Sequence, residues 1–214
     1  MWPARGSCST APGISAASGR DDSGGTMRSR PGAATKADAI EAGLVAGNEA
    51  YLFSRDERST AELLVDELRT RALTLGTAES CTGGLVAARV TDVPGASDVF
   101  LGAVVAYAND VKARELDVPA DLLREHGAVS PEAAAAMAHG ARARLGVDVA
   151  VAVTGIAGPG GGSEEKPVGL VYLHAVGPTG ERSRTFDFPG DRETIRLRAA
   201  VSALHLVRTL VTKP

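Results

Sequence analysis

Aromatic side chains are scarce in this sequence, at 4% of residues, so its core must be built mainly from Ala, Val and Leu. Cysteine is scarcer still. Cys8 and Cys81 make no disulfide framework, which suits a reducing compartment, and a cytoplasmic location is expected. No apolar run approaches the roughly 20 residues needed to span a bilayer. The first 30 residues carry Arg5, Arg20 and Arg28 but no continuous apolar segment, which argues against a secretory signal. Charge of one sign is also lacking: the net value is −3, so nothing electrostatic points to nucleic acid or an anionic membrane as a partner. The histidines His126, His139, His174 and His205 show no metal-ligand spacing. No zinc site is legible, and neither a metal nor a cofactor is expected.

What remains is an ordinary globular balance, 44% hydrophobic and 23% charged over 214 residues, enough for one α/β domain and a tail. Residues 1–36 are rich in Gly, Ser, Ala, Pro and Arg and cannot bury enough apolar surface to offset their ordering entropy. They are expected to be a disordered tail, and Met27 offers an alternative start. Residues 37–58 are expected as a loose helical lead-in through Ala39, Ile40, Leu44 and Val45, and residues 59–214 as the ordered domain.

That domain opens at Ser59-Thr60-Ala61-Glu62, a capping box before a helix whose apolar face runs through Leu64, Leu68 and Ala72. Residues 73–78 read as a buried strand ending at the turn Glu79-Ser80-Cys81-Thr82-Gly83-Gly84, after which a helix runs to Val90. Residues 101–107 read as a second strand, with Asn109 capping the helix that follows. A short helix over 119–126 precedes a longer one with Ser130 as N-cap, Pro131 at its first position and Gly146 as its stop. A third strand over 147–154 leads into a glycine-rich loop, then to two strands joined around Gly177-Pro178-Thr179-Gly180. The last helix, over 191–211, has an apolar face of Leu197, Val201, Leu204 and Val211. Strands apolar on both faces, alternating with helices, predict an α/β fold: a three-layer α/β/α sandwich around a mixed, mostly parallel sheet.

Several residues in this frame suit chemistry. Ser80 sits where a strand turns into a helix. Free N–H groups there can stabilise an oxyanion, and Gly83 and Gly84 let a substrate approach the backbone. Equally, Ser80 can simply cap that helix, and Cys81 is a rival nucleophile or a small core residue. Lys112 lies one turn into its helix, at the positive end of the dipole, where an amine's pKa falls; it can equally be a solvated surface lysine. Tyr107 closes the preceding strand, as a site residue or an amphipathic core edge. The loop from Thr154 to Gly169 has neither P-loop nor Rossmann spacing, so it either wraps a ligand or is plain surface. Arg192 and Arg196 share a face at a helix start, where they can hold a phosphate or be ordinary surface arginines.

Taken together these segments resemble one family, the CinA C-terminal domain. Its opening motif is similar to Thr77-Ala78-Glu79-Ser80-Cys81-Thr82-Gly83-Gly84, its second to Tyr107-x-Asn109-x-x-Lys112, and its third to His126-Gly127-Ala128-Val129-Ser130. The longest resembles the run from Thr154 through Gly155, Gly158, Gly162 and Ser163 to Gly169, and the last resembles Phe188-Pro189-Gly190-Asp191-Arg192. The resemblance implies a nicotinamide mononucleotide deamidase, a Ser/Lys hydrolase that needs no metal and serves pyridine-nucleotide recycling. It implies Ser80 as nucleophile, Lys112 as base and Tyr107 as an assisting group. Substrate contacts are implied for Thr82, Gly83, Gly84, Ser97, Asn109, Gly155, Gly158, Gly162, Ser163 and Arg192. The implied partner is a small nucleotide substrate, and a homo-oligomer, most plausibly a dimer, is expected. A non-catalytic nucleotide-binding module and an amidohydrolase for another amide stay open as alternatives.

Overall fold

The computed structural model describes residues 58–212. The expected tail, and the lead-in up to residue 57, lie outside the described residues. Ser59 opens α1 (Thr60–Thr70): its Oγ accepts from the Glu62 N–H at 3.2 Å, and the Glu62 carboxylate accepts from the Ser59 N–H at 2.7 Å. Leu64 and Leu68 are fully buried below this cap. Ala72, expected on the same face, is not on it. The helix has already ended, and Ala72 is exposed in a left-handed turn with φ 52°.

The chain continues through β1 (Leu75–Glu79), α2 (Leu85–Thr91), one short 3₁₀ turn (Ala96–Asp98), β2 (Phe100–Val105), α3 (Asn109–Leu116), α4 (Ala120–His126) and α5 (Pro131–Leu145). It ends with β3 (Val149–Gly155), β4 (Leu170–Gly177), β5 (Gly180–Asp187) and α6 (Arg192–Thr212). The strands form one five-stranded sheet in the order β2-β1-β3-β4-β5. β1 pairs in parallel with both β2 and β3, while β4 is antiparallel to β3 and to β5. Four strands therefore run one way and β4 the other, the mixed, mostly parallel sheet that the pattern predicts.

Two helical layers cover this sheet. On one face Leu64, Leu68, Val86, Ile195 and Leu204 pack with Val151 and Leu173. On the other, Leu116, Leu123 and Met137 pack with Ala150 and Ala152. α6 buries a wider stripe than its large apolar residues suggest. Leu204 and Val211 are inside, but Leu197 is 38% exposed and Val201 only half-buried; Ile195, Ala199 and Ala203 take the central contact. Small alanines let the helix approach the sheet closely, so counting large residues alone misplaces the face. β2 also departs from expectation. It is an edge strand whose burial alternates, leaving Leu101 53% and Val105 45% exposed.

The chain enters the sheet at β1, adds β2 on one side and crosses over α3–α5 to add β3 on the other. Connections thus leave β1 and its neighbour β3 in different directions at their C-terminal ends, the place where open α/β sheets form ligand clefts. No helix among the described residues is long and apolar enough to cross a membrane.

Candidate active site

β1 delivers Ser80 to that cleft, and the sheet fixes it there: the Ser80 N–H donates to Val153 C=O at 2.9 Å, extending the ladder one residue past the strand. Ser80 does not cap the next helix. α2 begins later, with Gly84 in the N-cap position and no side-chain cap bond. The capping task falls to Glu79. Its carboxylate is fully buried and accepts from the N–H groups of Gly84, Val86 and Ala87 at 2.9, 3.0 and 2.9 Å. An anion among the free donors at a helix start satisfies groups that would otherwise be orphaned. Ser80 is left free for another role. The tight turn between them depends on Gly83 and Gly84, at φ 62° and 93°, a region that side-chain-bearing residues avoid.

Lys112 meets Ser80 from α3. Although expected candidates included a surface position, Lys112 is only 1% exposed. Its Nζ lies 3.1 Å from Ser80 Oγ and donates to the carbonyls of Ala106 and Tyr107 at 2.8 and 3.3 Å. All three neighbours are neutral oxygens, and burial holds the Lys112 pKa below the ordinary lysine value. The arrangement suits a neutral amine. Nζ donates to all three oxygens as placed; a neutral amine at the same position would keep its two bonds to the carbonyls and turn its lone pair to the serine hydroxyl.

Cys81 is buried beside this pair at 5% exposure, and burial raises its thiol pKa to about 11. A thiol so protonated at neutral pH is a poor nucleophile. The turn also leaves fewer donors than the sequence suggests. The Gly83 N–H is committed to Ser80 C=O at 3.1 Å and the Gly84 N–H to Glu79. The N–H groups of Cys81 and Thr82 are the remaining candidates for an oxyanion.

Tyr107 is placed differently from expectation. Its backbone carbonyl holds Lys112, but its side chain is 60% exposed and its hydroxyl accepts from Arg192 Nη2 at 2.9 Å. The hydroxyl is therefore engaged by Arg192 at the surface, while the backbone of Tyr107 serves Lys112. Arg192 donates also to Gly158 C=O at 2.7 Å, joining the start of α6, the end of β2 and the glycine-rich loop at the mouth of the cleft. Arg196 is spent on structure: Nε and Nη2 donate to the carbonyls of Cys81 and Thr82 at 3.2 and 2.7 Å, clamping the Ser80 turn. Two of its nitrogens are thereby committed to the turn, whereas Arg192's two bonds lie on the glycine-rich loop and the exposed Tyr107.

The loop itself is built rather than loose. Lys166 Nζ donates to the carbonyls of His126 and Val129 at 2.9 and 2.8 Å, and Thr154 Oγ1 donates to Ala128 C=O at 2.7 Å. Ser163 Oγ accepts from the Lys166 N–H at 3.1 Å, which occupies one of its hydrogen bonds. A Cβ on Gly155 would meet Leu170 O at 2.6 Å, and one on Gly162 would meet Val168 N at 2.9 Å. These two glycines are explained by close backbone packing before any ligand is invoked. Gly158, at φ 75°, offers its carbonyl to Arg192.

The remaining expected contacts divide. Thr82 is fully buried, with its carbonyl toward Arg196. Asn109 is exposed as the first residue of α3 rather than its cap, which is Ala108. Ser97 is not brought to the site. It lies exposed in the 3₁₀ turn that enters β2, at the N-terminal end of the parallel strands, whereas Ser80 follows the C-terminal end of β1. Two residues that sequence reasoning did not single out turn out to hold the neighbouring backbone: Glu79 the turn after Ser80, and Lys166 the glycine-rich loop against the segment before α5. The signal for Glu79 was a charged residue closing an otherwise apolar strand.

The turn after β1 thus presents Ser80 to a buried lysine at the switch point of an α/β sheet, and comparison with known proteins gives the chain its family. The CinA C-terminal domain family matches residues 57–211, and the chain belongs to that family. A CinA-like protein of Mycolicibacterium paratuberculosis is 54% identical over 156 residues, 69% of this chain and 36% of the relative. One of Geotalea uraniireducens is 50% identical over 158 residues, 74% of this chain and 38% of the relative. The chain thus spans about two fifths of the length of the curated relatives it matches, 38% in the second case. Among solved structures, the competence/damage inducible protein CihA from Agrobacterium tumefaciens superposes with a TM-score of 0.67 at 41% identity, covering 73% of this chain and 99% of that one. A CinA superfamily protein from Escherichia coli gives 0.68 at 32% identity, covering 76% and 97%.

Proposed function

We propose that this domain hydrolyses the carboxamide of nicotinamide mononucleotide to nicotinic acid mononucleotide and ammonia, with Ser80 as nucleophile and Lys112 as its base. The observation that carries the proposal is the 3.1 Å approach of the buried Lys112 amine to Ser80 Oγ. In the first step the Lys112 lone pair takes the Ser80 proton as Oγ bonds to the amide carbon. The carbonyl oxygen becomes an oxyanion facing the N–H groups of Cys81 and Thr82. Lys112, now an ammonium, returns the proton to the nitrogen. The C–N bond breaks, and ammonia leaves an ester on Ser80. Water attacks that ester, losing its proton to Lys112, which passes it to Ser80 Oγ as the ester C–O bond breaks and the acid forms.

The polar mouth formed by Arg192, Tyr107 and the glycine-rich loop supports a substrate carrying a ribose phosphate. An arginine is a strong partner for such a group. The positive pyridinium beside Lys112 would further disfavour its ammonium form, helping to keep the base neutral. The test is ammonia release from the mononucleotide by the purified protein in EDTA-containing buffer, with Ser80→Ala as control. Turnover by the native chain alone supports the proposal. Equal ammonia from both, or none from either, refutes it.

A further inference from the structure

Toward the β4–β5 edge of the sheet, three side chains from separate elements converge on the face that α5 covers. His139 stands on α5, His174 on β4 and Glu181 on β5. His139 Nε2 lies 2.9 Å and His174 Nε2 3.2 Å from the same oxygen, Glu181 Oε2. One ligand atom from each residue falls within 4.8 Å of the other two. The histidine rings are tilted by 44° with centroids 5.8 Å apart, so they present edges to a shared point rather than stacking.

We propose that His139, His174 and Glu181 form a binding site for a divalent transition-metal ion of the zinc type, tying α5 to the β4–β5 hairpin. Two imidazole nitrogens and a carboxylate oxygen are a donor set that such ions favour over magnesium or calcium. Tetrahedral zinc with bonds of about 2.0–2.1 Å separates its ligand atoms by about 3.3 Å, and both histidine–glutamate separations are already close to that. The innermost ligand is anchored. His174 is 5% exposed, and its other ring nitrogen, Nδ1, sits 2.8 Å from Ser183 Oγ. An oxygen partner on the non-ligating nitrogen is what orients metal-bound histidines. His139 and Glu181 have side chains 56% and 54% exposed. They are able to adjust around an ion and leave a fourth position open to water.

The site is separate from the proposed hydrolytic centre. His174 registers with Ala152 and Ser183 along the sheet, and neither β4 nor β5 contributes to the Ser80–Lys112 pair. Bound metal would therefore act as a structural staple. Sequence spacing hides it, because the three ligands come from three elements and no two are a helical turn apart.

The test uses the full chain, freed of any affinity tag and stripped with chelator. Zinc chloride is titrated by calorimetry, and cobalt(II) is added separately as a spectroscopic probe. One zinc per chain, a rise in Tm with zinc, and visible cobalt bands of tetrahedral intensity are expected. His139→Ala and Glu181→Gln, both at half-exposed positions, should each weaken zinc binding at least tenfold and abolish the Tm rise, with circular dichroism unchanged. Absence of binding by the native chain overturns the proposal, and so does binding that both variants retain.

Discussion

Lys112 Nζ and Ser80 Oγ lie 3.1 Å apart although 32 positions separate them in the chain. β1 and α3 bring them together at the C-terminal end of the parallel strands, and the Ala106 and Tyr107 carbonyls orient the amine. Loss of either side chain should therefore damage chemistry while sparing the fold. Ser80→Ala is expected to lower amide hydrolysis on the order of 10³-fold or more. Cys81→Ala, which removes a buried protonated thiol, should keep most activity. Steady-state kinetics on both variants check this, and a dead Cys81 variant beside an active Ser80 variant would reverse the assignment.

Burial of Lys112 also has a signature in stability. Its pKa is lowered in the fold, so the unfolded chain binds more protons between the folded value and the ordinary 10.5. Native stability should then rise with pH across that window, as the penalty for a buried ammonium is relieved. Below the folded pKa the penalty is fully present. Lys112→Met removes this dependence, so its stability relative to the native chain should be most favourable at low pH and decline as pH rises. Urea unfolding across the pH range measures it; parallel stability curves for the two proteins would contradict the burial argument.

Glu79 makes a third case. Its carboxylate accepts three backbone N–H bonds at the start of α2. Glu79→Gln replaces one accepting oxygen with an NH₂ donor that faces other donors. A cost of about 1–3 kcal/mol is expected from the donors left unsatisfied. Thermal unfolding should show a lower Tm, and Ser80 turnover should fall with it, because the same turn holds both residues.

The two arginines of α6 should separate cleanly. Arg192→Ala is expected to raise KM for the mononucleotide roughly tenfold or more, with a smaller effect on the riboside that lacks the phosphate. Arg196→Ala unclamps the Cys81 and Thr82 carbonyls and should lower kcat with both substrates. If Arg192→Ala leaves both KM values unchanged, the phosphate is held elsewhere, most directly by the glycine-rich loop.

These distinctions mark what local pattern carried. The capping box at Ser59, the N-cap at Ser130, the hairpin around Gly177–Gly180 and the α/β alternation all arise from short-range chemistry and were legible. β2 was legible as a strand but not as an edge, because edge position depends on sheet order. The stripe on α6 was misplaced where alanines carry the contact. Lys112 could not be seen as buried from Asn109-Asp110-Val111-Lys112, a polar stretch; the residues that follow β1 and β2, Ser80, Ala106 and Tyr107, receive its amine. Only the ordered motifs of the family paired it with Ser80. Ser97 fits the motif order yet lies at the opposite end of the sheet, which shows that motif membership alone does not place a residue in one cleft.

Lys112 acting as a neutral amine on Ser80 is tested most directly by the pH dependence of kcat/KM for the native chain beside Lys112→Arg and Lys112→Met. The native rate should rise with pH through an apparent pKa below 10.5, the ordinary lysine value, in the direction set by burial. Both variants should lose on the order of 10²–10⁴-fold, because methionine has no proton acceptor and guanidinium stays protonated. Near-native turnover in Lys112→Arg would show that position 112 supplies only positive charge and would contradict the mechanism.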